Sequence, residues 1–272
     1  MSYFIVCDID HTLLNDQGQL VPSNVSALKK ARAMGATVVL ATARSYAGAR
    51  PIYQALGLDT PIIVSNGTLV CTADGLVMKA HTIESTMAEQ VVQLFAATPH
   101  HWSFNNGEAA YIHPNFDTRR APFNDAHYYR PTQLEHLEQA LGYHTLITAT
   151  LFGWGLKTLI DQHNWQTWQL TLDYYEPNAF TPLEALSVMS SQASKGQAVH
   201  WLRHHLGLQN AQTICMGDSL ADATMFDLGI GVAPANAPAE VRLQAAWIGP
   251  HCDEGVVAAA LERFVFEGVS AI

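Results

Sequence analysis

Along the first eighty residues, short apolar runs alternate with stretches whose apolar positions recur at helical spacing. Tyr3–Asp8, Thr37–Thr42 and Pro61–Ser65 are continuous apolar runs that end on a polar residue. That is the pattern of strands buried on both faces. Between the first two, Pro22-Ser23 opens a helix with Ser23 as its N-cap. Val25, Leu28 and Ala31 fall on one face of it, and Gly35 closes it. A second helical stretch covers residues 45–56, with a kink or restart expected at Pro51. After Asn66-Gly67, Thr68–Thr72 and Leu76–Lys79 read as a hairpin about Ala73-Asp74-Gly75. Strand, helix and strand in this order predict a parallel sheet with right-handed crossovers.

The rhythm changes between residues 80 and 185, which hold most of the Trp and Tyr. Ile83–Ala97 and Leu134–Leu141 read as helices. Trp102–Phe104, Ala109–His113, Leu146–Leu151 and Trp168–Tyr174 read as strands. They follow no strict alternation, which suggests an inserted α+β domain with linkers near Lys79–Ile83 and Pro182–Ser187. Trp102, Trp154, Trp165 and Trp168 are expected in its core. From Ser194 the first rhythm returns: helix Lys195–Leu206, strand Thr213–Met216, helix Leu220–Leu228, two short strands at 231–233 and 246–248, and helix Glu254–Phe264. The division is therefore a Rossmann-like α/β core of residues 1–80 and 187–272, with an α+β cap of residues 81–186 inserted into it.

Composition narrows the partners. The chain has 272 residues, 49% apolar and 14% charged, enough to build a full core. Twenty-four acids against fourteen Lys and Arg give a formal charge of −10, which argues against nucleic acid, whose phosphates demand a basic face. Cys7, Cys71 and Cys215 sit in apolar runs, as buried thiols of a reducing compartment do. No apolar run has transmembrane length and the first residues lack a signal-peptide pattern, so the expectation is a cytoplasmic protein without a membrane partner.

The chemistry concentrates at strand ends. Asp8 and Asp10 follow the first buried strand, and two acids there are costly without a positive partner: a metal ion, a lysine or a shared proton. Thr42 ends a strand, Lys195 starts a helix, and Asp218 and Asp222 lie one helical turn apart after another strand. If these strands are neighbours, the carboxylates converge with one lysine and one hydroxyl. Oxygen donors without His or Cys favour a hard cation such as Mg²⁺. His200 and His204 share a helix face but lack a spaced third ligand. Arg119, Arg120 and Arg130 are candidates for steering an anionic substrate, though solvated arginines are commoner.

Asp8-Ile9-Asp10-His11-Thr12-Leu13, Ala41-Thr42-Ala43-Arg44, Ser194-Lys195-Gly196 and Gly217-Asp218-Ser219-Leu220-Ala221-Asp222 resemble, in order, the four motifs of the haloacid dehalogenase superfamily. Ser65-Asn66-Gly67 resembles its Cof-type subgroup, whose α+β cap follows the third strand. The resemblance implies that Asp8 is the nucleophile and Asp10 the acid/base. It implies Mg²⁺ held by Asp8, the Asp10 carbonyl and Asp218, with Asp222 orienting the metal's water shell. Lys195 and Thr42, with Ala43, would bind the phosphoryl oxygens, and His11, Arg44 and Asn66 would border the cleft. Three residues depart from the family pattern: His11 and Ala43 stand where Gly is usual, and Ala221 where Asn is usual. The implied activity is a Mg²⁺-dependent phosphatase of small phosphorylated metabolites, sugar phosphates foremost. A phosphomutase and a non-catalytic binding protein on the same scaffold are the alternatives.

Overall fold

The apolar runs from both ends of the chain meet in one sheet. A computed structural model describes residues 2–106, 110–113, 115, 132–133, 146–165, 167–177 and 183–268. In order come β1 (Tyr3–Cys7), α1 (Pro22–Ala33), β2 (Thr37–Leu40), α2 (Tyr46–Ala55), β3 (Ile62–Val64), β4 (Leu69–Cys71), β5 (Val77–Ala80), α3 (Ser85–Ala96), β6 (His101–Asn105), β7 (Ala110–Ile112) and β8 (Thr132–Gln133). Then follow β9 (Thr148–Gly153), α4 (Leu156–Gln162), β10 (Leu170–Tyr175), β11 (Glu184–Ser190), α5 (Lys195–His205), β12 (Gln212–Met216), α6 (Leu220–Phe226), β13 (Ile230–Ala233), α7 (Ala239–Arg242), β14 (Trp247–Ile248) and α8 (Val256–Leu261). The chain divides into two compact units, Met1–Lys79 with Ser194–Ile272, and Ala80–Ala193.

In the first unit β14, β13, β12, β1 and β2 lie side by side in that order, all parallel. Phe4 and Val6 point into a core with Val39, Cys215, Leu202, Met225 and Phe226, while Ile5 and Cys7 are also fully buried. Burial on both faces is why β1 reads as an unbroken apolar run. Register then sets function. Cys7 pairs with Leu40 and with Met216, and Met216 pairs with Val232, so these strands finish at one level. The residues that follow them therefore emerge along one rim, on either side of β1, where the strand order reverses. Open α/β sheets hold ligands at such a point.

In the second unit the sheet order is β10-β11-β9-β6-β7-β8, antiparallel except for β7 with β8. Phe95, Trp102, Phe104, Leu151, Trp165 and Leu186 form its core, with Trp102 stacked on Phe104 at 4.8 Å between ring centroids.

Several sequence expectations change. The N-cap of α1 is Val21, not Ser23, because Pro22 takes the first helical position, where its missing N–H costs nothing. Helix α2 runs through Pro51 without restarting, held by the buried Gly48, Ala49 and Tyr53. The expected linker at Pro182–Ser187 overlaps β11, which is paired on both sides, so residues 187–193 belong with the second unit rather than the first. Trp154 is exposed, since it precedes the left-handed Gly155 that starts α4, a helix the periodicity missed. The expected helix Leu134–Leu141 and Arg119, Arg120 and Arg130 lie outside the described residues. No helix among the described residues is long and apolar enough to cross a membrane.

Candidate active site

Asp8 leaves the end of β1 with its N–H bonded to the Met216 carbonyl at 2.9 Å, which continues the β1–β12 pairing by one residue. Its carboxylate is buried and accepts from Lys195 Nζ at 2.7 Å. The same ammonium donates to Asp222 Oδ1 at 2.6 Å. Asp222 Oδ2 in turn accepts from Ser219 N at 2.9 Å and Ser219 Oγ at 2.6 Å, the reciprocal half of a capping box on α6. Both Asp222 oxygens are thus engaged by the protein. Asp218, just before the cap, accepts from Thr12 Oγ1 at 3.4 Å.

Lys195 reaches these acids because α5 lies close to its neighbours. Ser194 caps the helix by accepting from Gln197 N at 3.0 Å. Gly67, at φ +86°, lets the Ser65–Gly67 turn lie against the Ser194 backbone, and a Cβ there would fall 2.2 Å from the Ser194 carbonyl oxygen. Gly196 admits the Thr224 carbonyl in the same way, at 2.0 Å from where a Cβ would stand.

The electrostatics call for a cation. One oxygen each from Asp8, Asp218 and Asp222 lie within 4.8 Å of one another. With all three carboxylates ionised, one ammonium would leave two negative charges unbalanced. Burial opposes the charge on Lys195, but Asp222 and Asp8 outweigh it and hold the ammonium protonated. Burial and the Asp222 charge raise Asp8 well above the usual carboxylate range. The same causes push Asp218 up to about 7. This all-oxygen, net-negative set fits a hard divalent ion such as Mg²⁺. Asp8 and Asp218 would hold it, and it would neutralise the oxygens of a phosphoryl group.

Asp10 points elsewhere. Arg44 grips it with two bonds, Nε to Oδ2 at 2.8 Å and Nη2 to Oδ1 at 2.6 Å. That bidentate pair joins two motifs that the sequence kept apart, and only the fold makes it visible. Thr42 is fully buried, and its hydroxyl oxygen accepts from Arg44 N at 3.1 Å, which leaves its proton free to donate. Ala43 beside it is exposed. Asn66 is buried at φ +54°, its N–H bonded to the Thr42 carbonyl at 3.0 Å. His11 adopts φ +53°, ψ +14°, a left-handed conformation that costs a non-glycine residue roughly 1–2 kcal/mol. That backbone explains why glycine suits this position. The imidazole turns to Asp16, with Nδ1 3.1 Å from Oδ1. Among the described residues His200 and His204 share no third ligand; His204 Nδ1 contacts the His200 carbonyl at 2.8 Å.

The roles of Thr12 and Ser219 escaped the sequence reading. Ser219 carried a legible signal, since Ser219-Leu220-Ala221-Asp222 has capping-box spacing. Thr12 carried none beyond its place after Asp10.

A parallel sheet that brings carboxylates and a lysine together at its rim defines the class: a Rossmann-like α/β enzyme core. Residues 5–261 match the family model of haloacid dehalogenase-like hydrolases, and the chain belongs to that family. It is 27% identical over 269 residues to an HMP-PP phosphatase of Serratia proteamaculans, covering 95% of this chain and 93% of the relative. It is 26% identical over 267 residues to the phosphatase YwpJ of Bacillus subtilis, covering 88% and 91%. A solved haloacid dehalogenase-like hydrolase from B. subtilis superposes with a TM-score of 0.81 at 22% identity, covering 96% of this chain and 99% of that one. A sugar phosphatase of subclass IIB superposes at 0.80 with 20% identity, covering 97% and 99%.

Proposed function

We propose that this protein is a Mg²⁺-dependent phosphatase that hydrolyses small phosphate monoesters, sugar phosphates foremost, through a phosphorylated Asp8. The observation that carries the reading is the buried Asp8–Lys195–Asp222 chain beside Asp218 at the sheet rim. The phosphatase names of the two relatives and the sugar substrate of the subclass IIB structure point the same way.

In this mechanism an Asp8 oxygen attacks phosphorus, and the bond to the ester oxygen breaks. The leaving oxygen takes a proton from Asp10. Water then attacks the phosphorus of the aspartyl-phosphate and gives its proton to Asp10. The Asp8–phosphorus bond breaks, freeing phosphate and the carboxylate. Lys195 and the Thr42 hydroxyl bind phosphoryl oxygens. Asp222 keeps Lys195 in place. Arg44 occupies both Asp10 oxygens, so substrate entry would rearrange that pair to turn one oxygen toward the leaving group.

The test is a panel of phosphorylated metabolites and an aryl phosphate, assayed with and without Mg²⁺. Phosphate release that requires Mg²⁺ and favours sugar phosphates supports the reading. Isomerised product without free phosphate would make the protein a mutase, and no turnover of any ester would make it a binding protein.

A further inference from the structure

The His11 imidazole contacts Asp16, and Asp16 belongs to a second cluster of donors. Asp16, on the loop after β1, meets His251, Cys252 and Asp253 from the turn before α8. One donor atom from each lies within 4.8 Å of the others. The set mixes nitrogen, sulfur and oxygen, unlike the all-carboxylate set around Asp8.

Cys252 Sγ stands among the other three donors, while Asp253 Oδ1 also accepts from Asp16 N at 2.9 Å. Cys252 Sγ is 3.4 Å from Asp16 Oδ1, 3.6 Å from His251 Nδ1 and 3.9 Å from Asp253 Oδ1. His251 Nδ1 is 3.5 Å from Asp253 Oδ2. Tetrahedral zinc with bonds of about 2.0–2.3 Å would separate its ligand atoms by roughly 3.3–3.8 Å. The cluster is also held from outside. The Asn236 side chain bonds Cys252 N at 2.9 Å and the His11 carbonyl at 3.0 Å. His11 Nδ1 buttresses Asp16, as outer histidine–carboxylate contacts orient ligands. The Cys252 thiol is fully buried, while Asp16 and Asp253 stay exposed, which leaves an ion a way in.

We propose that Asp16, His251, Cys252 and Asp253 form a second metal site, for a borderline divalent ion of the zinc class, distinct from the Mg²⁺ site at Asp8. Binding replaces the Cys252 S–H bond with a sulfur–metal bond, and the proton leaves to solvent. His251 Nδ1 gives up the bond it now accepts from Asp253 N at 3.2 Å. An ion there ties the loop that leaves Asp10 to the turn before α8.

Titration of the purified, metal-free protein with Co²⁺ tests this, because thiolate ligation gives cobalt a charge-transfer absorption that carboxylates do not. Wild type is expected to bind one equivalent with that band. Asp218→Ala should keep it. Cys252→Ser should abolish it, and His251→Ala should weaken binding tenfold or more. Circular dichroism checks that the variants fold. If Cys252→Ser unfolds, His251→Ala and Asp16→Asn decide the matter through the same titration. No thiolate band in wild type overturns the proposal. So does a band that survives Cys252→Ser, or Co²⁺ affinity unchanged by His251→Ala.

Discussion

Two buried acids, Asp8 and Asp222, share the Lys195 ammonium. Removing it strands Asp8 and Asp222 without their shared cation. Lys195→Ala should destabilise the metal-free protein by about 3–5 kcal/mol, the usual cost of breaking a buried pair. Urea denaturation checks this, and an unchanged midpoint would mean the two acids are protonated in the fold. Asp8→Asn should leave the fold intact and remove turnover. A variant with even a tenth of wild-type activity would rule out Asp8 as nucleophile. These residues were legible in the sequence because each sits in a short motif. The Arg44 grip on Asp10 was not, since it joins side chains 34 positions apart that only the rim brings together.

At the scale of elements, the site depends on how closely α5 meets α6 and the Ser65–Gly67 turn. Gly196→Ala forces a methyl against the Thr224 backbone, and overpacking of this kind costs about 1–3 kcal/mol. Thermal denaturation should show the loss, and kcat should fall more than KM rises because Lys195 moves with its helix. Ser219→Ala removes the α6 cap, worth about 1 kcal/mol, and both Ser219 bonds to Asp222 Oδ2 weaken or vanish. The activity loss should then exceed what that small change in stability explains. Strands β1, β2, β3 and β12 were legible from their apolar runs. Strand β11 was missed because Pro182 nearby suggested a linker, and partners on both sides of it override that local signal.

At the scale of the whole molecule, the crowding of buried carboxylates at the rim sets a pH dependence. Asp218 rises from its ordinary 3.8 to about 7 in the fold. Between those values the folded protein binds more protons than the unfolded chain, so this group makes stability fall as pH rises through that window. Metal-free protein should therefore gain stability from Asp218 as pH drops from 8 to 5. Mg²⁺ should raise Tm more at pH 8, where Asp218 is ionised, than at pH 5, where protons compete. Thermal shifts at both values test this, and an equal shift would remove Asp218 from the metal site.

The sequence by itself determined the parallel core and the inserted α+β unit, and it singled out Asp8, Asp10, Thr42, Lys195, Asp218 and Asp222 as candidates, because apolar periodicity and short motifs are local properties of the chain. Tertiary structure alone decided the shared Lys195, the Arg44–Asp10 pair, the left-handed turn at His11 and the meeting of Asp16 with His251, Cys252 and Asp253. Those depend on strand register and on loops that approach one another from distant positions, and no local pattern encodes such distances.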